Sequence, residues 1–217
     1  MNFLFSSIGR KIQIAISGLF FVIFLFFHLL NNLVLFAGEE AFNQMVGFLE
    51  SIKPIIRIME FALLGMLLIH IINAFITSYQ NKKASSGKYA VSAKPMTASL
   101  NSRTMLVSGL IILSFFIIHL RFLWYTFQIT KDHNYFQILL QNKIGYLGHF
   151  PTALFYIIAI FFISLHLKHG FLSSFKSLGF QPKLIRGPLA ILAFFFWAII
   201  PMLFILIIIC IQTGYIN

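Results

Sequence analysis

Four histidines lie well inside long apolar stretches of the sequence: His28, His70, His119 and His166. A neutral imidazole has one nitrogen that donates a hydrogen bond and one that can bind a metal ion, and a histidine inside a membrane can also belong to a proton path. A single membrane histidine is most often a packing or hydrogen-bonding residue. One histidine in each of four apolar stretches indicates instead that the four side chains act together.

Five apolar runs organise the chain, at residues 12–36, 58–79, 104–127, 151–171 and 188–210. Each is close to the roughly 20 residues that a helix needs to cross a bilayer. With 59% hydrophobic and only 10% charged residues, the 217-residue chain has more apolar surface than a soluble domain of this size buries. The sequence therefore predicts an all-α integral membrane bundle of five transmembrane helices, forming a single domain over residues 1–217.

The basic residues divide unequally between the two sides of this bundle. Eleven of the sixteen lie in the N-terminus and in the second and fourth connections, with no acidic residue among them: Arg10, Lys11, Lys82, Lys83, Lys88, Lys94, Arg103, Lys168, Lys176, Lys183 and Arg186. The positive-inside rule places that face, and the N-terminus, in the cytoplasm, which leaves the C-terminus outside. Because topology accounts for the net charge of +11, we expect no nucleic-acid partner. Charge alone leaves open whether the basic face binds membrane lipid headgroups or a large protein partner.

The depth of each histidine follows from the rise of about 1.5 Å per helical residue. His28 and His119 lie about 24 and 22 Å from the cytoplasmic ends of their helices, whereas His70 and His166 lie only about 13 and 8 Å from those ends. The four side chains therefore form an outer and an inner layer, about 12 Å apart, each with two imidazoles on parallel helices. This arrangement is what bis-histidine ligation of haem iron requires, so we predict two haems b that pass electrons across the bilayer.

Two other interpretations of the histidines are open at this point. A small haem-free transporter or channel could use them as a proton relay. His169, three residues after His166, is a competing ligand, but it lies nearer the interface, where it is a candidate for a haem propionate or quinone contact or an ordinary solvated residue. We interpret His133 and His149, both in the outer loop, as ordinary surface residues.

Several segments resemble the membrane-anchor cytochrome b subunits of succinate dehydrogenase and fumarate reductase, of the single-subunit, five-helix, two-haem type. They are SSIGRK before the first helix, SGLFFVIFLFFH ending at His28, LIHIINAF around His70, and SGLIILSFFIIHL around His119. In that family the histidine of the fourth helix is followed by glycine after four and after thirteen residues. Gly170 and Gly179 satisfy both spacings from His166, so the resemblance implies that His166, and not His169, is the ligand.

The resemblance implies a subunit of respiratory complex II in the cytoplasmic membrane of a bacterium. A flavoprotein subunit and an iron–sulfur subunit would dock on its cytoplasmic face, and electrons would pass through the inner haem and then the outer haem to a membrane quinone, which we expect to be menaquinone. Such a subunit does not oxidise succinate itself, although it carries the quinone reaction. Arg10, Arg103 and Arg121 are, by their depth, candidates for contacts with the haem propionates.

For the quinone reaction, Glu50 is the acidic residue of the first outer loop that best matches a relative with an outer quinone site. A carboxylate there could exchange protons with the quinone. A rival interpretation keeps the haems but makes the chain the cytochrome b of a nitrate reductase or hydrogenase. The even distribution of histidines over the first four helices disfavours that rival, because those subunits take their ligands from different helices.

Overall fold

The computed structural model describes residues 3–85, 100–130, 133–180 and 186–217, without the side chains of residues 84–85, 100–104 and 186. These residues are almost entirely helical, and no strand occurs among them. The predicted five membrane spans are confirmed as helices long and apolar enough to cross a bilayer. They run over Ser7–Ala37, Lys53–Lys83, Met105–Ile129, Phe150–Ser177 and Gly187–Gln212.

Four of the described α-helices are long, with 20 to 33 residues, and five are shorter, with 5 to 13 residues. In chain order, the helices are α1 (Ser7–Leu33), α2 (Glu39–Ser51), α3 (Lys53–Ser85), α4 (Leu100–His119), α5 (Tyr125–Ile129), α6 (Tyr135–Leu140), α7 (Phe150–Ser177), α8 (Arg186–Phe194) and α9 (Ile200–Gln212). Leu120–Trp124, between α4 and α5, and Phe195–Ile199, between α8 and α9, are π-helical. The third span is thus α4 continued through α5, and the fifth is α8 continued through α9.

The first and fourth spans form the centre of the bundle. The first packs against the second and the fourth, the third packs against the fourth, and the fifth covers the first and fourth. The second and third spans touch each other only slightly. Because two long helices make so little contact, the space between them stays open, and this space becomes the site described below. We call the two ends of the bundle the N-terminal face and the C-terminal face, after the chain terminus at each.

The C-terminal face is closed by the short helices α2 and α6. The helical spacing of Phe42, Met45, Val46 and Leu49 in the first outer loop predicts a short surface helix there, and α2 is that helix. Its apolar side is buried: Phe42 is 4% exposed and meets Phe136 of α6 edge to face at 6.2 Å. Asn43 accepts a hydrogen bond from the backbone N–H of Phe136. The two short helices therefore pack on the protein core.

The π-helical turn of the fifth span has an identifiable cause. Pro201 has no backbone N–H, so the carbonyl four residues earlier, that of Trp197, loses its α-helical donor. Ser164 of the fourth span donates its hydroxyl to that carbonyl at 2.5 Å. Proline and π-helical turns are both common where a helix departs from regular geometry. The serine thereby ties the fourth span to the fifth.

Candidate functional site: two pairs of histidines in one cavity

His28 and His119, which helix depth assigns to one layer, lie together in the half of the bundle nearer the C-terminal face. Their ring centroids are 5.8 Å apart and their planes are nearly perpendicular, at 87°. Aromatic rings line the pocket around them: Phe24 stacks on His28, and Phe115 and Tyr156 both lie against His119. The surroundings are apolar, so both imidazoles face a region of low dielectric constant.

His70 and His166 form the second pair, nearer the N-terminal face. Their ring centroids are 6.4 Å apart, with an angle of 58° between the planes. The two residues come from the second and fourth spans, both of which pack against the first span. Glycines leave room beside them: a Cβ on Gly18 would lie 3.4 Å from Cε1 of His70, and one on Gly109 would lie 3.8 Å from Cε1 of His166.

Both separations fit two imidazoles that bind one metal ion from opposite sides. A bond of about 2 Å from each nitrogen to the ion puts the two ring centroids about 6 Å apart. Among the described residues, no group of three or more His, Cys, Asp and Glu side chains could hold a metal ion alone. A haem needs only two protein ligands, because the porphyrin fills the other four positions. The donor set therefore fits a haem better than a bare metal ion.

A serine hydroxyl lies beside Nδ1 of each histidine in the N-terminal pair. Ser17 Oγ lies 3.1 Å from Nδ1 of His70, and Ser108 Oγ lies 3.1 Å from Nδ1 of His166. Each hydroxyl proton is already donated to a carbonyl of its own helix, that of Gln13 at 2.6 Å for Ser17 and that of Met105 at 3.0 Å for Ser108. A hydroxyl has one proton, so a serine that donates it to the carbonyl accepts a hydrogen bond from its histidine. Nδ1 then carries the proton and Nε2 keeps the lone pair that a metal needs.

The C-terminal pair has no such support. Nδ1 of His119 is buried without a hydrogen-bond partner among the described residues. Phe24, His119 and Phe204 contact the ring of His28, and its neighbour Asn32 donates to the backbone carbonyl of His28 and not to the ring. The two pairs therefore differ in the hydrogen bonding of their second nitrogen, which sets the basicity of an imidazole ligand.

One continuous cavity of about 1640 Å³ contacts all four histidines. Its walls are mainly Leu, Ile and Phe side chains, and it extends from Lys11 at the N-terminal face to Glu50 at the C-terminal face. Ligand pockets for one drug-sized molecule are typically about 300–1,000 Å³. The cavity is therefore large enough for more than one sizeable apolar group.

The two serines are site residues that the sequence interpretation missed, although a signal for them exists. Ser17 precedes His28 by eleven residues, and Ser108 precedes His119 by the same eleven, each within a Ser-Gly-Leu sequence. The repeated spacing relates the first span to the third. In the sequence, this spacing associates each serine with a histidine of the C-terminal pair. In the structure, each serine instead contacts a histidine of the N-terminal pair.

The residues expected at the haem propionates are distributed as follows. Arg121 and His169 both line the cavity, and the Arg121 guanidinium lies over the rings of Phe122 and Tyr125. Arg10 instead donates to the carbonyl of Phe5 and to Gln80 Oε1 at 2.7 and 2.9 Å. The side chain of Arg103 lies outside the described part of the chain.

Glu50 lies at the C-terminal end of the cavity, in contact with residues of the loop after the third span. One carboxylate oxygen is 3.3 Å from Nδ1 of His133, and the other is 3.7 Å from Lys53 Nζ. His133 Nδ1 also lies 3.0 Å from the hydroxyl of Tyr135. Burial, and secondly the Glu50 carboxylate, raise the pKa of the Tyr135 phenol above its ordinary value. His149, the other outer-loop histidine, contacts Thr152 Oγ1 at 3.0 Å.

A second polar cluster joins the second and third spans at the same end. Glu60 pairs with Arg57 at 2.6 Å and accepts a hydrogen bond from Trp124 Nε1 at 2.7 Å. Arg57 also donates to Gln128 and lies 5.7 Å from the centre of the Trp124 ring. These contacts hold two spans that otherwise touch little, so they close the wall of the cavity.

Comparison of the chain with known protein families, with curated proteins and with solved structures finds no match. The geometry of the two histidine pairs is therefore the basis for the functional proposal.

Proposed function

We propose that the chain is a di-haem cytochrome b that carries electrons through a membrane to or from a quinone. The observation that carries the proposal is the pair of imidazole separations, 5.8 Å for His28 and His119 and 6.4 Å for His70 and His166. Two independent pairs at the spacing of two axial ligands, within one apolar cavity, are what two haems require.

Besides the spacing of the histidines, the residues around them also fit a bound haem. The Ser17 and Ser108 hydroxyls lie at Nδ1 of the N-terminal pair, which leaves Nε2 of each ring as the nitrogen that would hold the iron. Gly18 and Gly109 leave the faces of those rings open. Bound haem would supply one-electron redox chemistry at each pair, and the apolar walls would exclude water from it.

Resemblance supports the finer part of the proposal, which concerns partners and substrate. The motifs quoted above indicate the anchor of a succinate:quinone oxidoreductase, with a flavoprotein and an iron–sulfur subunit on the N-terminal face. Lys11, Lys82, Lys83, Lys168 and Lys176 make the described part of that face basic, which suits docking of a protein partner. Glu50, at the opposite end of the cavity, is the candidate for proton exchange with the quinone.

The test is spectroscopic. The full chain, purified in detergent after expression with sufficient haem, is expected to show the reduced-minus-oxidised absorption bands of haem b, with two haems per chain. Four histidines in a haem-free proton relay would give no such bands, and that result would refute the proposal. Co-purification of a flavoprotein and an iron–sulfur protein from the native membrane tests the choice of partners separately.

A further inference from the structure

We propose that His133 and Tyr135 form, with Glu50, a proton relay between the C-terminal end of the cavity and the surrounding solvent. The inference deepens the proposed quinone reaction and rests on it. The sequence interpretation places His133 among ordinary surface residues, whereas the structure places its imidazole against both other members of the group.

Glu50 and Tyr135 both contact the same atom of His133. Nδ1 of His133 is 3.3 Å from Glu50 Oε2 and 3.0 Å from the Tyr135 hydroxyl. His133 adopts a left-handed backbone conformation, with φ of 50°, which residues other than glycine rarely adopt. Chain packing thus holds the imidazole at these two oxygens at some cost in backbone energy.

Burial decreases through the group, from the cavity to the surface. Tyr135 is 1% exposed, the Glu50 side chain 30% and the His133 side chain 68%. Glu50 and Tyr135 line the cavity, and His133 does not. A proton that leaves the cavity by way of Glu50 therefore meets in His133 a group that is open to solvent.

The charged residues that the structure describes around the group leave this route free. Lys53 is the only described cation in contact with Glu50, and it approaches Oε1, the oxygen that does not face His133. Glu39, a second carboxylate among the described residues near this loop, accepts hydrogen bonds from Asn134 and Gln137. The raised pKa of Tyr135 keeps its phenol protonated near neutral pH, so it can donate a hydrogen bond to the group without becoming charged.

The proton balance is simple. A quinol that is oxidised to the quinone gives up two electrons, one to each of the two oxidised haems of the proposed cytochrome, and releases one proton from each of its two hydroxyl oxygens. Each proton would pass to Glu50 Oε2 and then to Nδ1 of His133, while a proton leaves the other ring nitrogen to water. The neutral imidazole is then protonated at Nδ1, so it must lose this proton to water and regain one at the other ring nitrogen before Nδ1 can accept the second proton. Quinone reduction would use the same steps in reverse.

The experiment uses the full chain in lipid nanodiscs, with a water-soluble naphthoquinol as the probe and haem reduction followed by stopped-flow absorbance. His133→Ala is expected to slow quinol-driven reduction on the order of 100-fold, to keep two haems and full reduction by dithionite, and to regain rate when imidazole is added. His133→Gln, which retains hydrogen bonding but not proton transfer, should be equally slow. The matched control, His149→Ala, changes the other outer-loop histidine and should behave as wild type.

The possible outcomes distinguish a failure of the relay from a failure of the quinone reaction on which it rests. If His133→Ala binds haem and is reduced by the quinol at the wild-type rate, the relay is wrong while the quinone reaction stands. If the rate falls but neither imidazole nor increased buffer concentration restores it, His133 has a structural role only and the relay is wrong. A wild-type chain that binds haem but does not react with the quinol would refute the quinone reaction, and the relay with it.

Discussion

Ser17 Oγ lies 3.1 Å from Nδ1 of His70, across the interface of the first and second spans. The same relation, at the same distance, joins Ser108 to His166 across the third and fourth spans. Each serine is buried, at 0% and 3% exposure. A buried hydroxyl that accepts from a histidine fixes which ring nitrogen can bind a metal, so these contacts make the N-terminal pair ready for ligation.

Loss of either serine should weaken the haem at the N-terminal pair. Ser17→Ala or Ser108→Ala removes the acceptor for Nδ1–H, which leaves a buried donor unpaired and frees the ring to rotate. We expect haem affinity at that pair to fall by about 10- to 100-fold, with an altered electron paramagnetic resonance signal for that haem only. Ser114→Ala is the matched control, because Ser114 is exposed on the third span and bonds only to the Leu110 carbonyl. Equal haem binding in Ser17→Ala and Ser114→Ala would contradict the role.

The histidine pairs predict which substitutions act on the same haem. His70→Ala and His166→Ala should each remove the haem of the N-terminal pair, and His28→Ala and His119→Ala the other. Haem content should fall from two to about one per chain in each variant, and the remaining signal should be the same within a pair. If His70→Ala and His28→Ala lost the same haem, the assignment of pairs would be wrong.

Gly18 should tolerate a methyl group but no larger side chain. A Cβ there would make ordinary contact with His70 at 3.4 Å, whereas further atoms would enter the space of the ring. We therefore expect Gly18→Ala to keep both haems and Gly18→Leu to lose the N-terminal one, as measured by haem content. Gly65→Leu is the control, since nothing lies within 4 Å of a Cβ at Gly65. Loss of haem in the control variant as well would show a general effect of bulk.

Glu60 is expected to stabilise the fold. Glu60→Ala removes the acceptor of Trp124 Nε1 and of Arg57 Nη1 where the second and third spans meet, while Arg57 keeps its bond to Gln128. The loss should cost about 0.5–1.5 kcal/mol. The measurement is thermal unfolding in detergent, followed by circular dichroism. Glu40→Ala, an exposed residue whose carboxylate contacts only Gln44, should unfold as wild type does. A wild-type transition in Glu60→Ala would show that the cluster contributes nothing to stability.

The raised pKa of Tyr135 predicts that the folded protein loses stability at alkaline pH. Because burial and the Glu50 carboxylate raise the pKa of its phenol above the ordinary 10.0, the folded state keeps a proton that the unfolded state loses. Stability should therefore fall as the pH rises above about 10 and continue to fall through the folded-state pKa. Tyr135→Phe should show a smaller decrease in unfolding temperature over that range, whereas Tyr215→Phe, at an exposed residue, should follow wild type. Parallel curves for all three proteins would contradict the shift.

The sequence by itself determined the number of spans and the depth of each histidine. Apolar runs of about 20 residues have one stable arrangement in a bilayer, and the fixed rise per residue then converts position along a helix into depth. His28 could be matched with His119, and His70 with His166, because depth depends only on local helix geometry.

Only the tertiary structure decided which side chains at a given depth are in contact with each other. Rotation of each helix about its axis, and its choice of adjoining helices, follow from packing over the whole bundle. Ser17 and His70 are 53 residues apart in sequence, and spacing alone associates Ser17 with His28. The contact of Glu50 with His133 likewise depends on how α2 and the loop before α6 pack on the C-terminal face, which no local pattern in the sequence specifies.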